Sequence, residues 1–167
     1  LEKSLANLNT DYIDLYYLHR INAEIPLEEV AEAMGSLIRE GVIRAWGLSQ
    51  VGVETLAKAH AITPVAAVQN LYSMLERDCE KEIFPYCMEH GIGVVASGFL
   101  SGKIHADTQF EAVDDVRKFV PQLKKENIEA NLPILDILHE YADRKGATPA
   151  QISLAWMLHK YPNVVPI

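Results

Sequence analysis

Polar side chains that can do chemistry follow four apolar segments of this sequence. They are His19 and Arg20 after the first segment, Ser49 and Gln50 after the second, Gln69 and Asn70 at the third, and the loop from Ser97 to Lys103 after the fourth. Imidazole, hydroxyl, carboxamide and ammonium groups are all hydrogen-bonding groups. They are neutral or basic, although the net charge of the whole chain is −8. This set therefore favours an anionic or electron-rich ligand, such as a phosphate, over a divalent metal.

The elements that must position these groups alternate between strands and helices. Residues Ile13 to Leu18 are mostly β-branched, aromatic or apolar, and they predict a buried strand. From Leu27 to Ile38 the apolar residues recur with the helical period, with Pro26 near the start and Gly41 past the end. The same alternation predicts strands at Val42–Leu48, Ala66–Gln69, Ile92–Ala96 and Val164–Val165, helices at Val53–His60, Cys79–Glu89 and from Thr148-Pro149 to near Lys160, and two helical stretches between Phe110 and Arg144.

Repeated strand-helix units predict a parallel sheet, which is either doubly wound or closed into a barrel. The periodicity alone leaves both architectures open. No Gly-x-Gly-x-x-Gly follows a predicted strand, which disfavours the doubly wound dinucleotide-binding fold. In both architectures the carboxyl ends of the strands carry the chemistry, and the polar residues named above lie at those ends.

Composition and charge exclude several classes of protein. A sequence pI near 5.2, with no basic cluster longer than Lys124-Lys125, argues against a nucleic-acid groove or an anionic membrane surface. No apolar run reaches the roughly 18 residues of a membrane helix. Cys79 and Cys87 are too few for a disulfide framework and predict reduced, buried thiols. We therefore expect a cytoplasmic protein that contacts neither nucleic acid nor membrane.

The segment from Asp11 to Arg20 resembles the aldo-keto reductase segment that ends in the family's active-site histidine. The resemblance continues in the same order through Glu40–Ser49, Ala67–Ser73, Gly98–Lys103 and Thr148–Trp156. It covers essentially the whole chain and is closest to the general aldehyde and ketone reductases. It implies a (β/α)8 barrel of which residues 1–167, as a single domain, carry about strands four to eight.

The same resemblance implies NADPH-dependent reduction of a small carbonyl substrate, an aldehyde or a ketone. It implies that His19 orients and polarises the substrate carbonyl and that Arg20 also contacts substrate. Ser49, Gln50 and Gln69 fall at positions that bind the nicotinamide carboxamide, with Gln50 in place of the commoner Asn. The loop residues on the segment that wraps the cofactor pyrophosphate are Ser97, Gly98, Leu100, Ser101 and Lys103. No metal is implied.

Several features of the family lie outside these residues. The catalytic Tyr, Lys and Asp are expected upstream of Leu1, an aromatic-Ser-Pro stretch is missing before Ser97, and a Gly-Ser-Arg/Lys segment is expected after Ile167. We therefore expect a longer chain at both ends.

Three alternatives stay open: a non-catalytic regulatory barrel resembling potassium-channel β subunits, an inactive fragment, and a sugar- or metal-dependent barrel lyase or isomerase. His19 favours a reductase over the regulatory barrel, where an amide commonly stands. A lyase or isomerase site needs several carboxylates or histidines at the strand ends, and His19 stands alone there.

Overall fold

Five parallel strands form one sheet in the computed structural model, which describes residues 1–97 and 124–167. The strands are β1 (Ile13–Leu18), β2 (Ile43–Ser49), β3 (Ala67–Leu71), β4 (Gly93–Ser97) and β5 (Val164–Pro166). Their order in the sheet follows the chain, and each neighbouring pair is parallel. A doubly wound sheet reverses its strand order at a switch point, whereas a barrel adds each strand beside the last. The observed order is therefore that of a barrel.

The helices within the described residues connect and cover these strands. They are α1 (Glu2–Leu8), α2 (Leu27–Arg39), α3 (Val53–Ile62), α4 (Ile83–His90), α5 (Lys125–Lys145) and α6 (Pro149–Lys160). The start of α6 is a capping box. Thr148 Oγ1 accepts a hydrogen bond from Gln151 N at 3.2 Å, and Thr148 N donates to Gln151 Oε1 at 2.8 Å. Pro149 stands in the first turn, where its missing N–H costs nothing.

The predicted helix from Cys79 to Glu89 is wrong at its beginning. The chain instead forms a short 3₁₀ turn at Asp78–Glu80, and α4 begins only at Ile83. A helix from Cys79 would place Pro85 in its interior, where proline lacks the N–H that the helix needs and clashes with the preceding turn. Starting at Ile83 puts Pro85 in the first turn. Both cysteines are free and buried, as the sequence predicted.

One face of the sheet packs against the helices. Alternate residues on the central strands, including Trp46, Leu48, Val68 and Val94, belong to the buried core. The indole of Trp46 is fully buried, and its Nε1 donates to the carbonyl of Thr63 at 3.2 Å. Because the donor is satisfied, this large side chain can be buried without an unpaired polar group.

An aromatic cluster beside this core surrounds a single carboxylate, Glu80. Tyr72 is fully buried, stacks on Trp156 at 5.7 Å between ring centroids and donates its hydroxyl to Glu80 Oε1 at 2.7 Å. Arg77 donates two hydrogen bonds to Glu80, at 2.9 and 2.8 Å, and Lys160 lies 3.0 Å from Oε1. Glu80 thus ties the segment after β3 to the end of α6.

The residues that alternate with the core positions of the strands belong to the other face of the sheet, which we call the open face. Register places Tyr17 beside Gly47, Gly47 beside Ala67, and Ala67 beside Gly93. These four residues form one layer across the open face. Three of them have side chains no larger than a methyl group, which leaves room for the Tyr17 ring. The layer lies one level below the residues at the carboxyl edge, since side chains alternate along each strand.

Candidate functional site

The predicted site residues His19, Ser49 and Gln69 come together at the carboxyl edge of β1, β2 and β3. Ser49 and Gln69 are direct register partners, and Leu18 pairs with Leu48, so His19 follows β1 at the level of Ser49. The His19 side chain is exposed and makes no hydrogen bond to another described residue, and the half-buried Gln69 amide likewise has no described partner. Within the described part of the chain, neither side chain has a hydrogen-bond partner that would compete with a ligand.

The Arg20 side chain reaches from the end of β1 to Ser49. Arg20 Nη1 donates to Ser49 Oγ at 3.0 Å and to the carbonyl of His19 at 2.6 Å. Ser49 is only 3% exposed. Because its oxygen accepts from a cation, its own hydrogen remains free to donate, and a ligand carbonyl is a suitable acceptor. Arg20 therefore contacts Ser49, which the sequence did not predict.

The chain turns sharply after β2 at Gln50. Its φ is 55°, in the left-handed region that non-glycine residues rarely adopt and that Asn tolerates better than most. Gln50 N donates to the carbonyl of Gln69 at 2.9 Å, so the turn is tied to the neighbouring strand. Gln50 is exposed and lies next to Ser49 and Gln69 at the carboxyl edge.

Asn70 is one of the polar strand-end residues of the sequence analysis, which gave it no specific role. It is 7% exposed, and its carboxamide pairs with both backbone groups of Val51. Val51 N donates to Oδ1 at 3.2 Å, and Nδ2 donates to the Val51 carbonyl at 2.9 Å. The sequence signal for this pairing was an Asn in the buried strand β3, at a position where the alternation predicts an apolar residue.

Burial raises the pKa of the Cys79 thiol, and the nearby Asn70 carboxamide partly opposes that rise. The Cys79 Sγ itself donates to the Leu71 carbonyl at 3.4 Å. Asn70 is thus enclosed on the side of the sheet that faces the helices.

The predicted pyrophosphate loop lies almost wholly outside the described residues. Ser97 ends β4, where it pairs with Leu71. Gly98, Leu100, Ser101 and Lys103 lie outside the described residues. Their predicted role stays a prediction.

The described residues contain no group of three or more His, Cys, Asp or Glu side chains that could hold a metal ion. In the same part of the chain, no helix is both long and apolar enough to cross a membrane. The hydrogen-bonding groups at the carboxyl edge are thus a hydroxyl, amides, an imidazole and a guanidinium, which suit an uncharged polar or an anionic organic ligand.

A parallel sheet in chain order, with such groups gathered at its carboxyl edge, is the organisation of part of a (β/α)-barrel enzyme. Within that class the chain belongs to the aldo/keto reductase family, whose model matches residues 1–167. This is a family of oxidoreductases, and its general reaction is the reduction of carbonyl groups.

Known relatives agree with this assignment in sequence and in structure. The chain is 39% identical over 171 residues to a probable aldo-keto reductase 1 of Glycine max, covering 99% of this chain and 49% of the relative. It superposes on a glycerol dehydrogenase from Gluconobacter oxydans with a TM-score of 0.86 and 32% identity, over 99% of this chain and 52% of the other.

A second solved relative is an aldo/keto reductase from Klebsiella pneumoniae in complex with NADP and acetate. Its TM-score is 0.72 at 30% identity, over 99% of this chain and 51% of that one. The chain thus spans about half the length of the relatives that it matches. These matches do not support the alternatives of a channel-type regulatory barrel or an inactive fragment.

Proposed function

We propose that the protein is a cytoplasmic reductase that uses NADPH to convert a small aldehyde or ketone to its alcohol. The observation that carries this proposal is the direct register pairing of Ser49 with Gln69 at the carboxyl edge, level with His19. A serine hydroxyl that can still donate its hydrogen, and a glutamine carboxamide without a partner among the described residues, match the acceptor and donors of the nicotinamide carboxamide. Support for the cofactor also comes from Klebsiella pneumoniae relatives, which were solved with NADP and with NADPH.

Each residue at this edge has a distinct task in the proposed reaction. NADPH, when bound, would supply the hydride that reduces the carbonyl carbon, and the catalytic Tyr that the family resemblance implies would give the proton to the carbonyl oxygen. His19 orients the substrate by donating a hydrogen bond to the carbonyl oxygen, which also stabilises the negative charge that develops there. Ser49, Gln50 and Gln69 hold the carboxamide of the cofactor, and so fix which face of its ring points toward the substrate.

Arg20 acts in this proposal by preparing Ser49 and by adding positive charge beside the substrate. Its guanidinium occupies the Ser49 oxygen and leaves the hydroxyl hydrogen to the cofactor. Ser97, Gly98, Leu100, Ser101 and Lys103 would bind the pyrophosphate through backbone N–H groups and one ammonium. Residues 1–167 would form part of one barrel domain.

The test uses the protein in its full natural length. NADPH binding is followed by fluorescence titration, and turnover is measured with a panel of aldehydes and ketones. His19→Ala should leave NADPH binding within about twofold and reduce kcat by about 10²-fold or more, as loss of a positioned electrostatic group does. Ser49→Ala and Gln69→Ala should instead weaken NADPH binding.

His159→Ala is the matched control, because His159 is an exposed histidine on α6 away from the carboxyl edge. It should leave both measurements unchanged. A wild-type protein that neither binds NADPH nor reduces any carbonyl compound in the panel would contradict the proposal. An unaltered kcat in His19→Ala would contradict the task given to His19.

A further inference from the structure

We propose that Asn70 is a positioning residue that holds the nicotinamide-binding turn in its left-handed conformation. The inference rests on the proposed function and concerns the same site. Asn70 lies on the helix-facing side of β3, so in this role it does not bind the cofactor itself. It acts through the backbone of Val51, to which its carboxamide makes two hydrogen bonds.

The backbone of the turn after β2 is held by the neighbouring strand β3. Gln50 N is bonded to the carbonyl of Gln69, and both backbone groups of Val51 are bonded to the next residue, Asn70. These three hydrogen bonds fix the backbone from Ser49 to Val51 relative to β3. The three proposed carboxamide ligands, Ser49, Gln50 and Gln69, therefore keep one relative geometry.

Gln50 needs this support more than an asparagine at the same position would. A left-handed φ of 55° is unfavourable for a long side chain, whereas Asn is several-fold enriched in that region. Without the Asn70 pair, the backbone at position 50 is free to relax toward an ordinary φ. That change would turn the Ser49 and Gln50 side chains away from Gln69.

The hydrogen bonds between Asn70 and Val51 are buried, so solvent does not readily replace them. Val51 and Asn70 are each 7% exposed. Removing the carboxamide leaves a buried N–H and a buried carbonyl without partners, so the backbone must move to solvate them. Asn70 thus holds the turn through the backbone N–H and carbonyl of Val51, which take their hydrogen bonds from its carboxamide.

The experiment compares Asn70→Ala with wild type in the full-length protein, by hydrogen exchange of the residue 50–52 amides and by fluorescence titration with NADPH. We expect faster exchange at these amides and a Kd for NADPH raised about tenfold or more, since two buried hydrogen bonds are lost. Asn70→Asp is the alternative if Asn70→Ala does not fold, because it keeps the size of the side chain and an acceptor for Val51 N. It should also speed amide exchange at residues 50–52 and raise the Kd for NADPH.

A rescue variant separates positioning from general destabilisation. Gln50→Asn in the Asn70→Ala background supplies a residue that tolerates the left-handed region, and it should recover a large part of the lost affinity. Thr63→Val is the matched control, because Thr63 Oγ1 donates a buried 2.6 Å hydrogen bond to the Ala31 carbonyl in the same β2-α3-β3 unit. It should lower stability and leave the Kd within about twofold.

Each other outcome overturns the inference. NADPH affinity that is unchanged in Asn70→Ala, with wild type binding well, overturns the role of Asn70 and leaves the proposed function standing. If Thr63→Val weakens NADPH binding as much as Asn70→Ala does, or if Gln50→Asn does not restore the affinity of Asn70→Ala, the loss is due to general destabilisation. Either result also overturns the positioning role of Asn70. A wild-type protein that does not bind NADPH overturns the proposed function together with this role.

Discussion

The ring of Tyr17 lies directly over Gly47 on the open face of the sheet. A Cβ at position 47 would overlap Cε1 of Tyr17, and would stand 2.7 Å from its Cδ1 and 2.8 Å from the carbonyl oxygen of Ala67. Position 47 therefore accepts no side chain while Tyr17 stays in place. Tyr17 and Gly47 lie on their strands two residues before His19 and Ser49. Their packing therefore supports the layer that carries the proposed site residues.

Gly47→Ala should destabilise the protein by about 1–3 kcal/mol, because an added methyl in a packed place forces both ring and backbone to shift. The free energy of unfolding is measured by urea titration. Gly93→Ala is the matched control in the same layer, since its Cβ would meet only ordinary contacts at 3.6 and 3.8 Å. A loss in Gly93→Ala as large as that in Gly47→Ala would refute the steric explanation.

The Tyr17 hydroxyl is buried, has no partner among the described residues, and has its pKa raised by burial. Tyr17→Leu removes the ring that a methyl at position 47 would strike. In that background, Gly47→Ala should cost less than it does beside the tyrosine. The same cost in both backgrounds would place the clash at the Ala67 carbonyl rather than at the Tyr17 ring.

Acid should weaken the protein through Glu80. Hydrogen bonds from Arg77, and then from Tyr72 and Lys160, lower the pKa of Glu80 from 4.5 to about 2, although burial opposes the shift. A carboxyl whose pKa is lower in the folded state stabilises that state above its unfolded pKa. This stabilisation, at most on the order of 3 kcal/mol, should be lost as the pH falls from 4.5 towards 2.

The measurement for Glu80 is the difference in unfolding free energy between wild type and Glu80→Gln as a function of pH. The difference should be largest near neutral pH and shrink through that acid range. Asp14→Asn is the control, because its 2.9 Å ion pair with Arg44 joins side chains that are 72% and 63% exposed. It should change stability by less than about 1 kcal/mol at any pH. If the difference in unfolding free energy between wild type and Glu80→Gln does not change with pH, the acid sensitivity does not come from Glu80.

Much of this fold could be predicted because its apolar periods are strong. Strand β1 has the predicted bounds, and α6 begins and ends where Thr148-Pro149 and Lys160 indicated. The apolar period of a strand and the residues at the ends of a helix are local signals, because they depend only on residues close in the sequence. The start of α4 was predicted wrongly because the apolar period around Cys79 outweighed Pro85, whose lack of an N–H decides where the helix can begin.

The site could be predicted only in part, because its geometry depends on register between strands. His19, Ser49 and Gln69 were recognisable from residue type and from the family's blocks. The left-handed turn at Gln50 was not, since glutamine does not favour that conformation. Asn70 was recognised as a polar strand-end residue, but its role was not predicted, because its partner Val51 is 19 residues away and becomes its neighbour only when β3 pairs with β2.

The two cysteines should be unreactive in the folded protein. Burial, and then proximity to Cys79, raise the pKa of Cys87 to about 12. At pH 8 this leaves roughly a thousandfold less thiolate than in an unperturbed cysteine, and the thiolate is the reactive form. An aromatic disulfide reagent should therefore label neither thiol until denaturant is added, when both should react. Rapid labelling of native protein, traced to Cys87 with the Cys79→Ala variant, would contradict this.

Arg20 and Ser49 should be energetically coupled, because one guanidinium nitrogen donates to both Ser49 Oγ and the His19 carbonyl. A double-mutant cycle with Arg20→Leu and Ser49→Ala isolates their interaction in the unfolding free energy, and we expect a coupling of about 1 kcal/mol. Arg20→Lys should not restore it, since lysine has one compact charge and no planar fork.

The same cycle applied to NADPH affinity tests whether Arg20 prepares the Ser49 hydroxyl for the cofactor. If it does, Arg20→Leu should weaken binding when serine is present and have little further effect in Ser49→Ala, because the hydroxyl that it prepares is then gone. Equal weakening in both backgrounds would mean that Arg20 acts on the cofactor without Ser49, through its charge alone. That charge effect should fall as salt is added, whereas the effect transmitted through the partly buried hydrogen bond should persist.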